Sequence, residues 1–175
     1  MRGALATAES SAITELRLSE RGGTWWIDCQ GPLRSGRSIK VDVSSDELVV
    51  HTEARRILER WPNVPDGPVL AYTQLEVTAE KLRCIMQRFQ CRDLLDLDLL
   101  FENGVDRIDA AALFARKAEH KRIDPRTFRA VFENKLARYR KAWNAELSQY
   151  LADMPHFDET ERRLRRALRQ AKLIT

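Results

Sequence analysis

The chain has 175 residues, 43% of them hydrophobic, which suffices for one ordinary domain or slightly more with a real core. Thirty Lys and Arg against 26 Asp and Glu give a net charge of +4, too small to mark a nucleic-acid binder without help from charge distribution. Three cysteines, Cys29, Cys84 and Cys91, share no paired ligand spacing and fit a reducing cytoplasm. No stretch approaches ~18 consecutive apolar residues, so neither a signal peptide nor a membrane span is expected.

The first third reads as strands. Residues 13–18 come first, then Thr24–Gln30, where Trp25, Trp26 and Ile27 favour extended backbone. After a turn at Gly31, Pro32, Ser35 and Gly36, Arg37–Val43 alternates Ile39, Val41 and Val43 with Ser38, Lys40 and Asp42. That is the period of a strand with one buried face, and it turns Asp42 away from that face. Glu53–Arg60 reads as a short helix ended by Trp61-Pro62, residues 63–68 as a loop, and Val69–Tyr72 as a strand.

From Thr73 the period becomes 3.6. Thr73 and Glu76 have the spacing of a capping box, opening a helix through Ala79, Leu82, Ile85 and Met86. Cys91–Phe101 is a second helix, closed by Asn103-Gly104, and a third runs from Asp109 to near Asp124-Pro125. The longest carries Phe128, Val131, Phe132, Leu136, Tyr139, Trp143, Leu147 and Leu151 as a core stripe, and the last starts at Asp158. The expected fold is α+β, a β-rich part over residues 1–72 and a helical bundle over 73–175. In the last helix Asp158, Glu159 and Glu161 precede Arg162, Arg163, Arg165, Arg166, Arg169 and Lys172, either a solvated face or a surface for RNA.

Asp93 and Asp96, three apart, share one face of the second helix, and two neighbouring carboxylates need a cation. Lys81 or Arg88 on the preceding helix can supply it, since Arg92 points partly elsewhere. On the residues alone the group is either a structural salt-bridge network or a site.

Here the chain resembles the AbiEii/AbiGii nucleotidyltransferase toxins of the polymerase-beta-like superfamily. The resemblance rests on Glu80-Lys81-Leu82, on Arg92-Asp93-x-x-Asp96-Leu97, and on the Ile39-Lys40-Val41-Asp42-Val43 strand. Trp143 and Pro155-His156-Phe157-Asp158 extend it across roughly residues 39–171. It implies that Asp42 is a ligand of catalytic magnesium, that Lys81 contacts the nucleoside triphosphate, and that Asp93 is the acidic residue of the last motif. Arg92 and Asp96 would position that helix and help bind substrate. It further implies nucleotide transfer to RNA such as a tRNA end, a role in abortive infection against phage, a cognate antitoxin and a cytoplasmic setting; a homodimer is expected separately, a second copy covering apolar surface that the lacking segment leaves exposed. Family members open with Gly-Ser and an Asp-x-Asp pair. Before Asp42 this sequence has Asp28 as its single Asp, and Leu95 stands where an aromatic residue is usual. The chain is therefore expected to be the C-terminal part of a nucleotidyltransferase, inactive by itself, or a catalytically dead module of the same fold that binds RNA or an antitoxin. Asp42, Lys81 and Asp93 are expected to line one cleft.

Overall fold

A computed structural model describes residues 15–21, 24–30, 36–56, 67–151 and 153–175. They form two compact units, residues 1–47 and 48–175. In the first, β1 (Glu15–Arg21), β2 (Thr24–Gln30) and β3 (Gly36–Asp42) make an antiparallel sheet in sequence order. The register sets Trp26 opposite Lys40 and Thr24 opposite Asp42 on one face, with Trp25 opposite Val41 and Ile27 opposite Ile39 on the other. The alternation that turns Asp42 from the apolar stripe is thus present, but the stripe is not sealed, for Ile39 is 52% exposed.

The second unit begins with the hairpin β4 (Thr52–Arg56) and β5 (Pro68–Tyr72). This corrects the helix expected at Glu53–Arg60, whose residues 57–60 lie outside the described ones. Glu53, Ala54 and Arg55 are good helix formers, yet pairing with Ala71, Leu70 and Val69 overrides their weak local preference. Five helices follow: α1 (Gln74–Gln87), α2 (Cys91–Glu102), α3 (Arg107–His120), α4 (Phe128–Leu147) and α5 (Phe157–Gln170). The architecture is α+β, as expected.

Helix ends follow their caps. Thr73 accepts the Glu76 N–H at 3.1 Å, half of the expected capping box. The Glu76 carboxylate instead accepts the Val50 and His51 N–H groups, which ties the hairpin's entry to α1. Helix α3 starts two residues before Asp109 because Asp106 accepts from the Ile108 and Asp109 N–H groups. It ends at His120, and a 3₁₀ turn covers Pro125–Thr127. Helix α4 stops at Leu147, short of Leu151, which is exposed and lies outside the core.

The core is built from single faces of these helices: Ala79, Leu82 and Ile85 of α1, Leu94, Leu97 and Phe101 of α2, Leu113 and Phe114 of α3, Phe128, Phe132, Tyr139 and Trp143 of α4, Leu164 and Leu168 of α5. Each large apolar side chain buried there contributes about 1.5–3 kcal/mol. Trp143 is buried, donates from Nε1 to the Pro155 carbonyl at 2.9 Å and meets Phe157 edge-on.

Candidate functional site

Only three residues, Arg88 to Gln90, join α1 to α2, so the two helices are antiparallel neighbours. Helix α4 pins this link from both sides. The Lys135 ammonium donates to the carbonyls of Ile85, Met86 and Arg88, taking the place of the basic residue that the last turn of α1 lacks. Glu146 accepts the Cys91 N–H at 2.9 Å, capping α2 where Gln90 supplies no side-chain cap.

Between the helices sits Asp93, its side chain only 1% exposed. Its Oδ1 accepts from Lys81 Nζ at 3.1 Å and Arg88 Nη2 at 2.9 Å, and its Oδ2 from Arg88 Nε at 2.8 Å. It also lies in the first turn of α2, where the helix dipole favours an anion. Burial pushes the Asp93 pKa up, but the bonds from Arg88 and Lys81 outweigh it and hold the carboxyl below its ordinary value. For Lys81, burial pulls the pKa down while Asp96 and Asp93 raise it further, and the net shift is upward. The Lys81 ammonium reaches Asp96 Oδ2 as well, at 2.5 Å. Asp96 is 41% exposed and Lys81 19%, so the cluster runs from a dry end at Asp93 to a wet end at Asp96.

Each residue of the two short motifs has a separate job. Glu80 takes Arg83, Lys81 crosses to α2, and Leu82 enters the core. Arg92 turns outward onto Gln90, Asp93 is buried, Asp96 meets Lys81, and Leu97 joins the core. Asp93 therefore does not line an open groove as its helical phase suggested, because Arg88 and Lys81 close over it. Leu95, like Leu94, is buried.

A second charged group escaped the sequence. Lys117 of α3 is buried and donates to the Leu48 carbonyl at 2.6 Å, with its ammonium 2.6 Å from Glu76 and 3.2 Å from Glu80. The signal was a lysine within the apolar stripe of Ala110, Leu113, Phe114 and Ala118. This group fixes residues 48–51 to α1 and α3.

Asp42 belongs to the first unit, Lys81 and Asp93 to the second. In its sheet Asp42 is exposed, accepts from the Thr24 hydroxyl at 2.7 Å and pairs with Lys40 at 2.9 Å, and these bonds lower its pKa, Thr24 first. Its carboxylate can offer a metal ion a ligand. Both oxygens of each aspartate are engaged, but Asp42 is 63% exposed and can exchange Thr24 or Lys40 for an ion, whereas Asp93 is closed over by Arg88 and Lys81. Among the described residues no group of three or more His, Cys, Asp or Glu is arranged to hold a metal ion. Cys84 and Cys91 are free and buried, and burial drives the Cys91 thiol up to about 12. No helix among the described residues is long and apolar enough to cross a membrane.

Comparison with curated proteins and with solved structures finds no match. A family model, described as the nucleotidyl transferase AbiEii toxin of a type IV toxin–antitoxin system, matches residues 3–170. The match takes in both helical motifs and reaches back across β1 to β3, beyond the span the short motifs indicated. By that match the chain belongs to the AbiEii family of nucleotidyltransferase toxins.

Proposed function

We propose that the chain takes part in, but does not by itself complete, magnesium-dependent transfer of a nucleotide from a nucleoside triphosphate to RNA, such as a tRNA end, and that Lys81 is its triphosphate contact. The observation behind this reading is the uneven clamp on Lys81. On the dry side Asp93 is fixed by Arg88 and cannot leave; on the wet side Asp96 pairs with Lys81 alone among the described residues and is open to water. An incoming triphosphate can replace Asp96 at the ammonium without disturbing Asp93. A phosphate charge about 4 Å from Lys81 gains on the order of 4 kcal/mol at an effective dielectric near 20, before desolvation.

On this reading Asp93 is a positioning residue that aims Lys81 and Arg88, Asp96 is the anion that substrate displaces, and exposed Arg92 adds positive potential at the same helix end. Asp42 would give magnesium one oxygen ligand, and magnesium is commonly held by one or two carboxylates plus substrate phosphates. When bound, the ion steadies charge on the phosphoryl oxygens. A cytoplasmic setting, phage defence and a cognate antitoxin complete the proposal.

One observation favours a second reading, a non-catalytic module that binds RNA or an antitoxin: Asp93 is as fully paired as a purely structural salt bridge. Equilibrium binding of the four nucleoside triphosphates separates the two. The first reading expects measurable affinity, a loss of about tenfold or more in Lys81→Ala, and retained or tighter binding in Asp96→Asn, which removes the competing anion. No nucleotide affinity, or equal affinity in Lys81→Ala, would reject it in favour of the second.

A further inference from the structure

The carboxylates around α5 are shared out unevenly. Arg163 takes Asp98 through three contacts of 2.6 to 3.2 Å, together with Glu102 and Glu159. Arg165 takes Glu133 and Glu161, while Arg140 of α4 takes Asp158 and Glu161. These pairs use every acidic side chain of α5. Arg162, Arg166 and Arg169 are exposed and make no ion pair among the described residues. Spacings of four and three residues put them on one helix face, over about 10 Å of axis.

Beside this row is a cavity of about 170 Å³ whose wall includes Arg107, Arg163, Arg166 and Gln170. Arg107 donates from Nη2 to the Phe101 carbonyl at 3.2 Å, but its buried Nε has no acceptor among the described residues. A buried N–H without a partner carries a desolvation cost that an arriving acceptor would offset. The carboxylates of the same wall, Asp98 and Glu102, are already engaged by Arg163.

We propose that this face of α5 binds the phosphodiester backbone of the RNA acceptor, with the Arg107–Arg166 cavity taking one phosphate and the Arg162–Arg166–Arg169 row its neighbours. The inference rests on the RNA-acceptor reading above. Guanidinium forks suit phosphate oxygens. A protein partner would need a buried apolar anchor, whereas the apolar residues of α5, Phe157, Leu164, Ala167 and Leu168, are all spent on the core. Nor is the face the nucleotide site itself, since α2 directs Asp96 to Lys81 of α1 and Asp98 to Arg163 of α5.

The test is anisotropy of a labelled RNA hairpin with a single-stranded 3′ end, measured with the full chain from about 50 to 200 mM salt. Relative to wild type, Arg162→Ala/Arg166→Ala/Arg169→Ala should lose at least about tenfold in affinity at the low-salt end, and the slope of log affinity on log salt should fall by about 2 to 3. The triple Arg→Lys variant should keep most of that slope. Arg116→Ala/Lys141→Ala, exposed cations on α3 and α4, should lose much less per charge, and circular dichroism should find every variant folded. Equal RNA binding by wild type and the triple Ala variant, or equal loss per charge in the control, would overturn the proposal while leaving RNA as the acceptor. A wild type that binds no RNA would overturn it too. Nucleotide binding, unchanged in the triple variant and lost in Lys81→Ala, separates its failure from failure of the Lys81 assignment.

Discussion

Replacing Asp93 separates positioning from chemistry. Asp93→Ala removes three charge-assisted hydrogen bonds, of 2.8, 2.9 and 3.1 Å, from a buried carboxylate. Breaking a buried ion pair from one side costs about 3–5 kcal/mol. The value here should sit at or below the lower end, about 2–3 kcal/mol, because Arg88 is 44% exposed and can turn to water while Lys81 retains Asp96. Asp93→Asn preserves shape but sets an amide donor against the donors around it, so it should cost about 2 kcal/mol. Urea unfolding followed by far-UV circular dichroism measures both. The native pKa of Asp93 is depressed below 3.8, so its contribution is complete above that value and is lost as pH falls through the lower native one. The stability gap between wild type and Asp93→Ala should therefore be constant near neutrality and close in strong acid. A cost under about 0.5 kcal/mol at neutral pH, or a gap that widens in acid, would refute the reasoning.

Trp143→Ala should destabilise by about 3–5 kcal/mol, and Trp143→Phe by about 1–2 kcal/mol because the Pro155 carbonyl loses its donor; denaturant melts measure both, and unchanged midpoints would remove Trp143 from the core. Lys117→Met leaves the buried Glu76 carboxylate without its cation and should cost about 3–5 kcal/mol. Adding Glu76→Gln should recover part of that loss in the same assay, and no recovery would deny the coupling. The purified chain with magnesium and labelled nucleotide should not extend RNA, since a two-metal site needs more carboxylates than Asp42; robust incorporation abolished by Asp42→Ala would contradict this.

The helical part was legible because its signals are local. Thr73 caps as expected, and the stripe from Phe128 to Leu147 faces the core. What stayed hidden was set by distant partners. Thr52–Arg56 is a strand because β5 pairs with it, and no window of eight residues contains that information. Glu76 matches a capping box in sequence, yet its carboxylate serves Val50, His51 and Lys117. At the site, Lys81 and Arg88 could be named as candidate partners of the aspartates from helix spacing. That Asp93 would be sealed and Asp96 left open depends on α4 gripping the α1–α2 link through Lys135 and Glu146, 47 to 55 positions beyond the residues they hold. Asp106 and Asp109 are both acids able to cap a helix, and the chain uses the earlier one.

The assignment of Lys81 as the triphosphate contact is tested most directly by labelling lysines with ¹³C-methyl groups and following the Lys81 resonance, identified by its loss in Lys81→Arg, during nucleotide titration. A saturable shift of that resonance is expected on adding nucleoside triphosphate, in wild type and in Asp96→Asn. A Lys81 signal that stays in place while nucleotide binds elsewhere on the chain would contradict it.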